Sequence, residues 1–297
     1  SIRSRGGRLI LRMEDLDHPK VRPNAAEQAL EDLRWLGLDW DEGPDLGGPR
    51  APYTQSERIP RYREALWRLR EQGLVYPCAC SRRDVEAAQS APHEGETLFY
   101  PGTCRGRYAG FEEARAALPE GRLPAWRFRA PAGKVVFEDG FHGRVDVDVA
   151  AAVGDFVIAR HPDGAGYMLA VVVDDAAMGI TEVLRGDDLL DATPRQLLLY
   201  EALGLPPPRF VHVPLVVGPD GRRLAKRHGD TRIASLRAAG WPPERVVGLL
   251  AHWCGWARDG DELHAGDLLP RYSLQSLPRE PATCQLCSCI RSEPTQP

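Results

Sequence analysis

Short apolar runs that stop abruptly at charged residues recur along this chain, separated by amphipathic stretches of helical period. Arg8-Leu9-Ile10-Leu11-Arg12-Met13 runs into Glu14-Asp15-Leu16-Asp17, and Met168-Leu169-Ala170-Val171-Val172-Val173 runs into Asp174-Asp175. Residues 156–160, 180–185 and 210–216 read as further strands. Helices are expected from Asn24, with Glu27 as a capping partner and Ala26, Leu30, Leu33 and Leu36 on one stripe, and over 57–72, with Gly73 as its stop. Others follow from Thr193 to Leu203, over 231–239 and over 243–256. Strands alternating with helices predict an α/β chain built on a parallel, doubly wound sheet.

Residues 74–155 have a different texture, with three cysteines, a short helical piece near 109–118 and strand-like runs at 125–129, 134–138 and 144–149. They read as an inserted α+β module. From about residue 273, Ser, Pro, Gln and Thr replace periodicity, and a disordered tail is expected. Ser1 to Gly7 read as the end of a helix with glycines past it, so a preceding element is expected.

With a net charge of −4 the 297-residue chain is not a generally basic nucleic-acid coat, and any RNA contact must use local patches. No apolar run approaches the roughly 20 residues of a membrane span, and no signal peptide is visible, so a cytoplasmic protein without membrane association is expected. Seven cysteines, an odd number, argue against a disulfide framework and for a metal site.

In an open parallel sheet, ligands bind beyond the carboxyl ends of the strands. Glu14, Asp15, Asp17, Asp174 and Asp175 fall at such ends, where a carboxylate can fix the ammonium of an amino acid, and an arginine such as Arg185 can grip a carboxylate through two hydrogen bonds. Any one of these acids taken alone is as readily a helix cap or a surface charge. Behind the turn Pro219-Asp220-Gly221, the segment 221–230 carries Arg222, Arg223, Lys226, Arg227 and His228. Most such charge runs are merely solvated, but a buried strand feeds this one, and a lysine on a flexible stem can follow charge developing on a transferring phosphate. Cys78, Cys80 and Cys104 supply three thiolates from two short segments, as a tetrahedral zinc site requires, with Tyr100 or His93 as the fourth ligand. Cys284, Cys287 and Cys289 lie in the tail and lack such a framework.

These residues together resemble the class I glutamyl-tRNA synthetases, and within them the short glutamyl-Q tRNA(Asp) synthetase branch, over about residues 5–270. The resemblance implies that Glu14, Tyr167 and Arg185 bind L-glutamate. It places Arg223, Leu224, Ala225, Lys226 and Arg227 at the KMSKS signature of the ATP site, with Lys226 as the catalytic lysine and Mg²⁺ accompanying ATP. Ala225 departs from the signature serine, and Arg227 from its last position. Cys78, Cys80, Tyr100 and Cys104 match the branch's ligands for one structural zinc. The fold implied is a class I Rossmann-like catalytic domain, in two parts over 1–73 and 156–240. The zinc module spans 74–155, C-terminal helices 241–272 and the tail 273–297. The HIGH signature and first strand are expected upstream of residue 1. The activity implied is ATP-dependent formation of glutamyl-adenylate without tRNA, followed by transfer to the queuosine base of tRNA(Asp), by a monomer. A glutamyl-tRNA synthetase charging tRNA(Glu) and an inactive nucleotide- or tRNA-binding relic are the rival readings.

Overall fold

The computed structural model describes residues 1–16, 24–88, 100–160, 164–224 and 232–284. Residues 8–13 lie extended but form no ladder. Ile10 and Met13 make two isolated parallel bridges, to Glu42 and Thr54, because the segments they meet are turns rather than strands. Helix α1 (Ala25–Trp35) follows Asn24, whose left-handed backbone (φ 61°) gives no side-chain cap, so the expected capping pair with Glu27 does not form. Its stripe is only half-buried at Leu30 and Leu33, with Ala26 exposed and Leu36 buried. Helix α2 (Ile59–Glu71) has the expected inward face, burying Tyr62, Leu66 and Leu69.

Strands β1 (Val75–Cys78), β2 (Ala125–Phe128) and β5 (Phe156–Ala159) form an antiparallel sheet in the order β1-β2-β5. Pro77, which has no N–H to donate, is tolerated because β1 is an edge. Between them lie helices α3 (Arg82–Ala88) and α4 (Phe111–Ala116), the hairpin β3 (Lys134–Asp139) and β4 (Gly143–Asp148), and the short α5 (Val149–Ala152). Residues 156–159, expected to rejoin the parallel sheet, instead complete this antiparallel one. The main core runs without a break from Leu66 and Leu69 through Trp126, Phe128 and Ile158 to Leu169, Val172 and Leu199. The 74–155 module therefore shares its hydrophobic core with the rest of the chain.

The run 168–173 is not a strand. It lies in helix α6 (Tyr167–Met178), which ends at Gly179 with φ 66°. Leu169, Ala170, Val171, Val172 and Val173 are all buried, and a helix covered all round loses the one-sided period that would separate it from a buried strand. Asp174 and Asp175 consequently sit on a helix rather than beyond a strand end.

Strand β6 (Glu182–Gly186) passes through helix α7 (Thr193–Leu203) to the parallel strand β7 (Arg209–Val213), a βαβ unit. Among the described residues, laddered parallel pairing is confined to this pair and to β8 (Val216–Val217) with β9 (Ala282–Thr283). A doubly wound sheet is therefore not laddered among the described residues; its parallel component is the βαβ unit, with the isolated bridges of residues 10 and 13. Helices α8 (Ile233–Ala238) and α9 (Pro243–Trp253) complete the fold.

Strand β9 corrects the expectation of a structureless tail through residue 284. Cys284 is buried against Leu36, Leu236, Val246 and Val247, and its backbone N–H bonds Val217 O at 2.8 Å. Cys287 and Cys289 lie outside the described residues.

Helix α9 is pressed onto a passing chain. An ideally placed Cβ on Gly248 would lie 1.6 Å from the carbonyl oxygen of Asp261, so backbone must move to admit a methyl. Gly248→Ala is expected to destabilise the fold by about 1–3 kcal/mol despite alanine's better helix propensity, measured by denaturant unfolding; unchanged stability would show that 260–262 yields freely.

Candidate active site and metal centre

Of the expected site residues, Glu14, Tyr167 and Arg185 lie within electrostatic reach of one another around the start of α6. Arg12 reaches across from the N-terminal segment, its Nη1 2.7 Å from Asp175 Oδ1 and its Nη2 2.9 Å from Glu14 Oε1. Its guanidinium is largely desolvated, yet Asp175 and Glu14 hold its pKa above the ordinary value. Burial raises the Asp175 pKa against the pull of Arg12. Burial, then Glu14, raises that of Tyr167 at the start of α6.

The acids at the expected strand ends part company. Asp15 accepts hydrogen bonds from Ser56 N at 2.8 Å and Ser56 Oγ at 2.6 Å, fastening the turn that leads into α2. Asp174 is fully buried and receives Arg58 Nε at 2.5 Å, Tyr62 Oη at 2.7 Å and Gln55 Nε2 at 3.1 Å, locking α2 to α6. Both are structural. Glu14 keeps part of its carboxylate exposed, its side chain 39% accessible. Asp17 lies outside the described residues.

Arg185 on β6 is half-buried. Its Nε donates to His212 Nε2 at 2.9 Å, and its Nη2 donates to Thr193 Oγ1 and Gln196 Oε1, each at 2.8 Å. The guanidinium also stands over the Phe210 ring, 5.1 Å from its centroid. Burial lowers the Arg185 pKa, and among the described residues it makes no ion pair. A cation whose hydrogen bonds go to neutral acceptors, with Tyr167 beside it and the Asp175 carboxylate within electrostatic reach, is disposed to receive a carboxylate.

Sequence reasoning gave no role to His212 or Asp139. Both are fully buried, and His212 Nδ1 lies 2.7 Å from Asp139 Oδ2. They stand 73 positions apart, so no local spacing could have flagged them. A polar residue at an inward position of a strand was the one available signal.

The turn before the basic segment forms as expected, with Gly218 N bonding Arg222 O at 2.8 Å. Arg223 pairs with Asp188 at 2.9 Å, which places the start of the segment beside the end of β6. Leu224 packs against the second core cluster. Ala225, Lys226 and Arg227 lie outside the described residues.

The sulfurs of Cys78, Cys80 and Cys104 lie within 4.8 Å of one another. Tyr100 Oη completes the set, 3.3 Å from Cys78 Sγ and 3.7 Å from Cys80 Sγ, and it accepts the Cys104 backbone N–H at 2.7 Å. Four donors at tetrahedral corners around zinc, with zinc–sulfur bonds of about 2.3 Å, would stand roughly 3.7 Å apart; Cys80 and Cys104 Sγ are separated by 3.5 Å. Arg127 donates through Nε to Cys78 Sγ at 3.1 Å and lies 3.6 Å from the Tyr100 ring centroid, a cation suited to an anionic donor set. Burial pushes the Cys80 thiol up to about 12, whereas hydrogen bonds led by that of Tyr100 outweigh burial and hold Cys104 below the usual range. The residues fit a tetrahedral S₃O zinc site. His93 lies outside the described residues.

Among the described residues, no helix is long and apolar enough to cross a membrane.

Residues 2–275 match the family of class I tRNA synthetases (E and Q), catalytic domain. The chain is 53% identical over 281 residues to glutamyl-Q tRNA(Asp) synthetase of Symbiobacterium thermophilum, covering 94% of the chain and 86% of that protein. To glutamate–tRNA ligase of Heliobacterium modesticaldum it is 42% identical over 281 residues, covering 93% of the chain and 56% of that protein. In structure it superposes on a glutamate tRNA ligase from Elizabethkingia meningosepticum, solved in complex with its amino acid, with a TM-score of 0.77 and 26% identity, spanning 97% of the chain and 62% of that structure.

Proposed function

The chain belongs to the catalytic-domain family of class I glutamyl- and glutaminyl-tRNA synthetases, and from that premise we propose that it activates L-glutamate with ATP and transfers the glutamyl group to the queuosine base of tRNA(Asp). The observation that carries the glutamate reading is Arg185, a half-buried cation with only neutral hydrogen-bond partners, facing a site that also holds Glu14 and Tyr167. Arg185 takes the side-chain carboxylate of the substrate, and Glu14 and Tyr167 take its ammonium. The transfer to queuosine is favoured by the 53% identity to a relative of that name, over 86% of its length, against 42–46% to glutamate–tRNA ligases over 53–56% of theirs.

In activation, an oxygen of the substrate's α-carboxylate bonds to the α-phosphorus of ATP, the bond to the bridging oxygen breaks, and pyrophosphate leaves. The protein's part is to align the two anions and neutralise charge. Lys226 supplies that charge at the leaving phosphates, so Lys226→Ala is expected to slow activation by about 10²–10³-fold with little change in L-glutamate affinity. A pre-steady-state adenylation assay checks this, and an unchanged rate sinks the role.

Cys78, Cys80, Tyr100 and Cys104 hold one zinc that braces β1 and the 100–104 loop. Because burial raises the Cys80 thiol's pKa, binding must expel its proton, and zinc affinity falls as pH falls. Chelation is expected to lower the melting temperature by several degrees, more readily at pH 6 than at pH 8, with one equivalent of zinc released to a colorimetric indicator.

The substrate assignment is tested by following labelled glutamate onto tRNA(Asp) with and without queuosine and onto tRNA(Glu). Label is expected only on the queuosine-containing tRNA(Asp); charging of tRNA(Glu) would replace this reading with that of a conventional ligase.

A further inference from the structure

Arg185 is aimed by a chain of buried groups that ends in a carboxylate one imidazole away. Its Nε–H can only donate, so His212 Nε2, 2.9 Å distant, must be the unprotonated acceptor. The ring proton then sits on Nδ1 and is given to Asp139 Oδ2 at 2.7 Å. Asp139 is itself fixed: its Oδ1 accepts the backbone N–H groups of Phe141 and His142, each at 2.9 Å, from the turn between β3 and β4, and the His212 backbone N–H lies 3.3 Å from Oδ1 and 3.2 Å from Oδ2. Thr193 Oγ1 lies 3.1 Å from the same His212 Nε2 and also receives Arg185 Nη2.

This order of groups has a chemical consequence. Were Asp139 to touch Arg185 directly, it would neutralise the cation and compete with an incoming carboxylate. The interposed neutral ring passes on direction without passing on charge. We propose that Asp139 and His212 are positioning residues that, through an uncharged Nδ1–H imidazole, aim Arg185 at the side-chain carboxylate of the amino-acid substrate while leaving its charge for that carboxylate to satisfy. The proposal rests on the reading of Arg185 given under the proposed function, and it makes selection of glutamate over glutamine depend on a pair of residues that touches neither.

Asp139→Asn is the incisive variant. With Oδ1 engaged by backbone amides, the new amide –NH₂ faces His212 Nδ1 at the closer 2.7 Å contact and the backbone N–H of residue 212 at the longer 3.2 Å contact, the latter common to both residue-212 backgrounds. It drives the ring to the Nε2–H form, which then opposes the Arg185 Nε–H donor to donor. His212→Gln retains a carbonyl acceptor toward Arg185 that no longer depends on residue 139. L-Glutamate and L-glutamine affinities of the full chain are measured by calorimetry for the parent, Arg185→Ala, Asp139→Asn, His212→Gln and the Asp139→Asn/His212→Gln pair. Asp139→Asn is expected to weaken glutamate at least tenfold and to narrow the preference over glutamine. In the His212→Gln background the same change should cost under threefold.

Equal losses in both backgrounds, or no loss with Asp139→Asn while Arg185→Ala loses affinity, overturn the proposal. Full affinity in Arg185→Ala overturns instead the reading of Arg185 itself. Nitrogen-15 spectra of the parent's imidazoles give a readout that needs no variant to fold. An Nδ1–H tautomer for His212 is expected, and an Nε2–H ring or an imidazolium contradicts the proposal.

Discussion

Arg185→Ala is expected to weaken L-glutamate binding by about 2–5 kcal/mol, roughly 30- to several-thousand-fold, while the enzyme remains folded. The size follows from the environment. Burial lowers the Arg185 pKa, and its neighbours offer neutral acceptors at 2.8–2.9 Å, so the strong charge-assisted bonds are left for the ligand. The folded state loses little by comparison, because removing the cation also removes the cost of burying it. Arg185→Lys should recover only a small part, since an ammonium cannot bond His212, Thr193, Gln196 and a carboxylate through one planar fork. Calorimetric titration with L-glutamate reads the effect, and near-parental affinity in the lysine variant would show that charge alone suffices.

The second large effect concerns stability. Asp174→Ala is expected to cost about 3–5 kcal/mol, the penalty of stranding one member of a buried ion pair. Arg58 and Asp174 are both wholly inaccessible and lie 2.5 Å apart, and Arg58 also donates to Pro52 O at 2.7 Å. Without Asp174 the guanidinium keeps its charge, and Tyr62 and Gln55 lose their acceptor. At about 2–4 °C per kcal/mol for a chain of this size, the melting temperature should fall by on the order of ten degrees. Replacing Arg58 and Asp174 together with apolar residues of similar volume should restore most of the loss. A single alanine variant as stable as the parent would mean that water already reaches the pair.

What the sequence disclosed and what it hid divide along physical lines. The thiol cluster was legible because a tetrahedral site would draw on short segments with fixed spacing, and Cys78, Cys80 and Cys104 fall together as their spacing suggests. The inward face of α2 was legible because one side packs and the other meets water. Helix α6 was misread because burial on all sides erased its period, and Val171, Val172 and Val173 suit a strand as well as a helix. The acids illustrate the limit best. Asp15, Asp174 and Asp175 looked alike beside apolar runs, yet one fastens a turn, one lies in an ion pair and one holds Arg12. Only the fold distinguishes them. Asp139 and His212 meet across 73 positions, a separation no local pattern spans. Residues 274–284, too polar to suggest an element, are ordered by a two-residue pairing with β8 and by the burial of Cys284.

On the function proposed above, glutamate is activated before any RNA arrives. Glutamate-dependent exchange of labelled pyrophosphate into ATP, run with and without tRNA, measures that step directly. Exchange is expected with L-glutamate in the absence of tRNA, little with L-glutamine, and loss of glutamate dependence in Arg185→Ala. Exchange that appears only when tRNA(Glu) is added, or that does not depend on glutamate, would contradict that function.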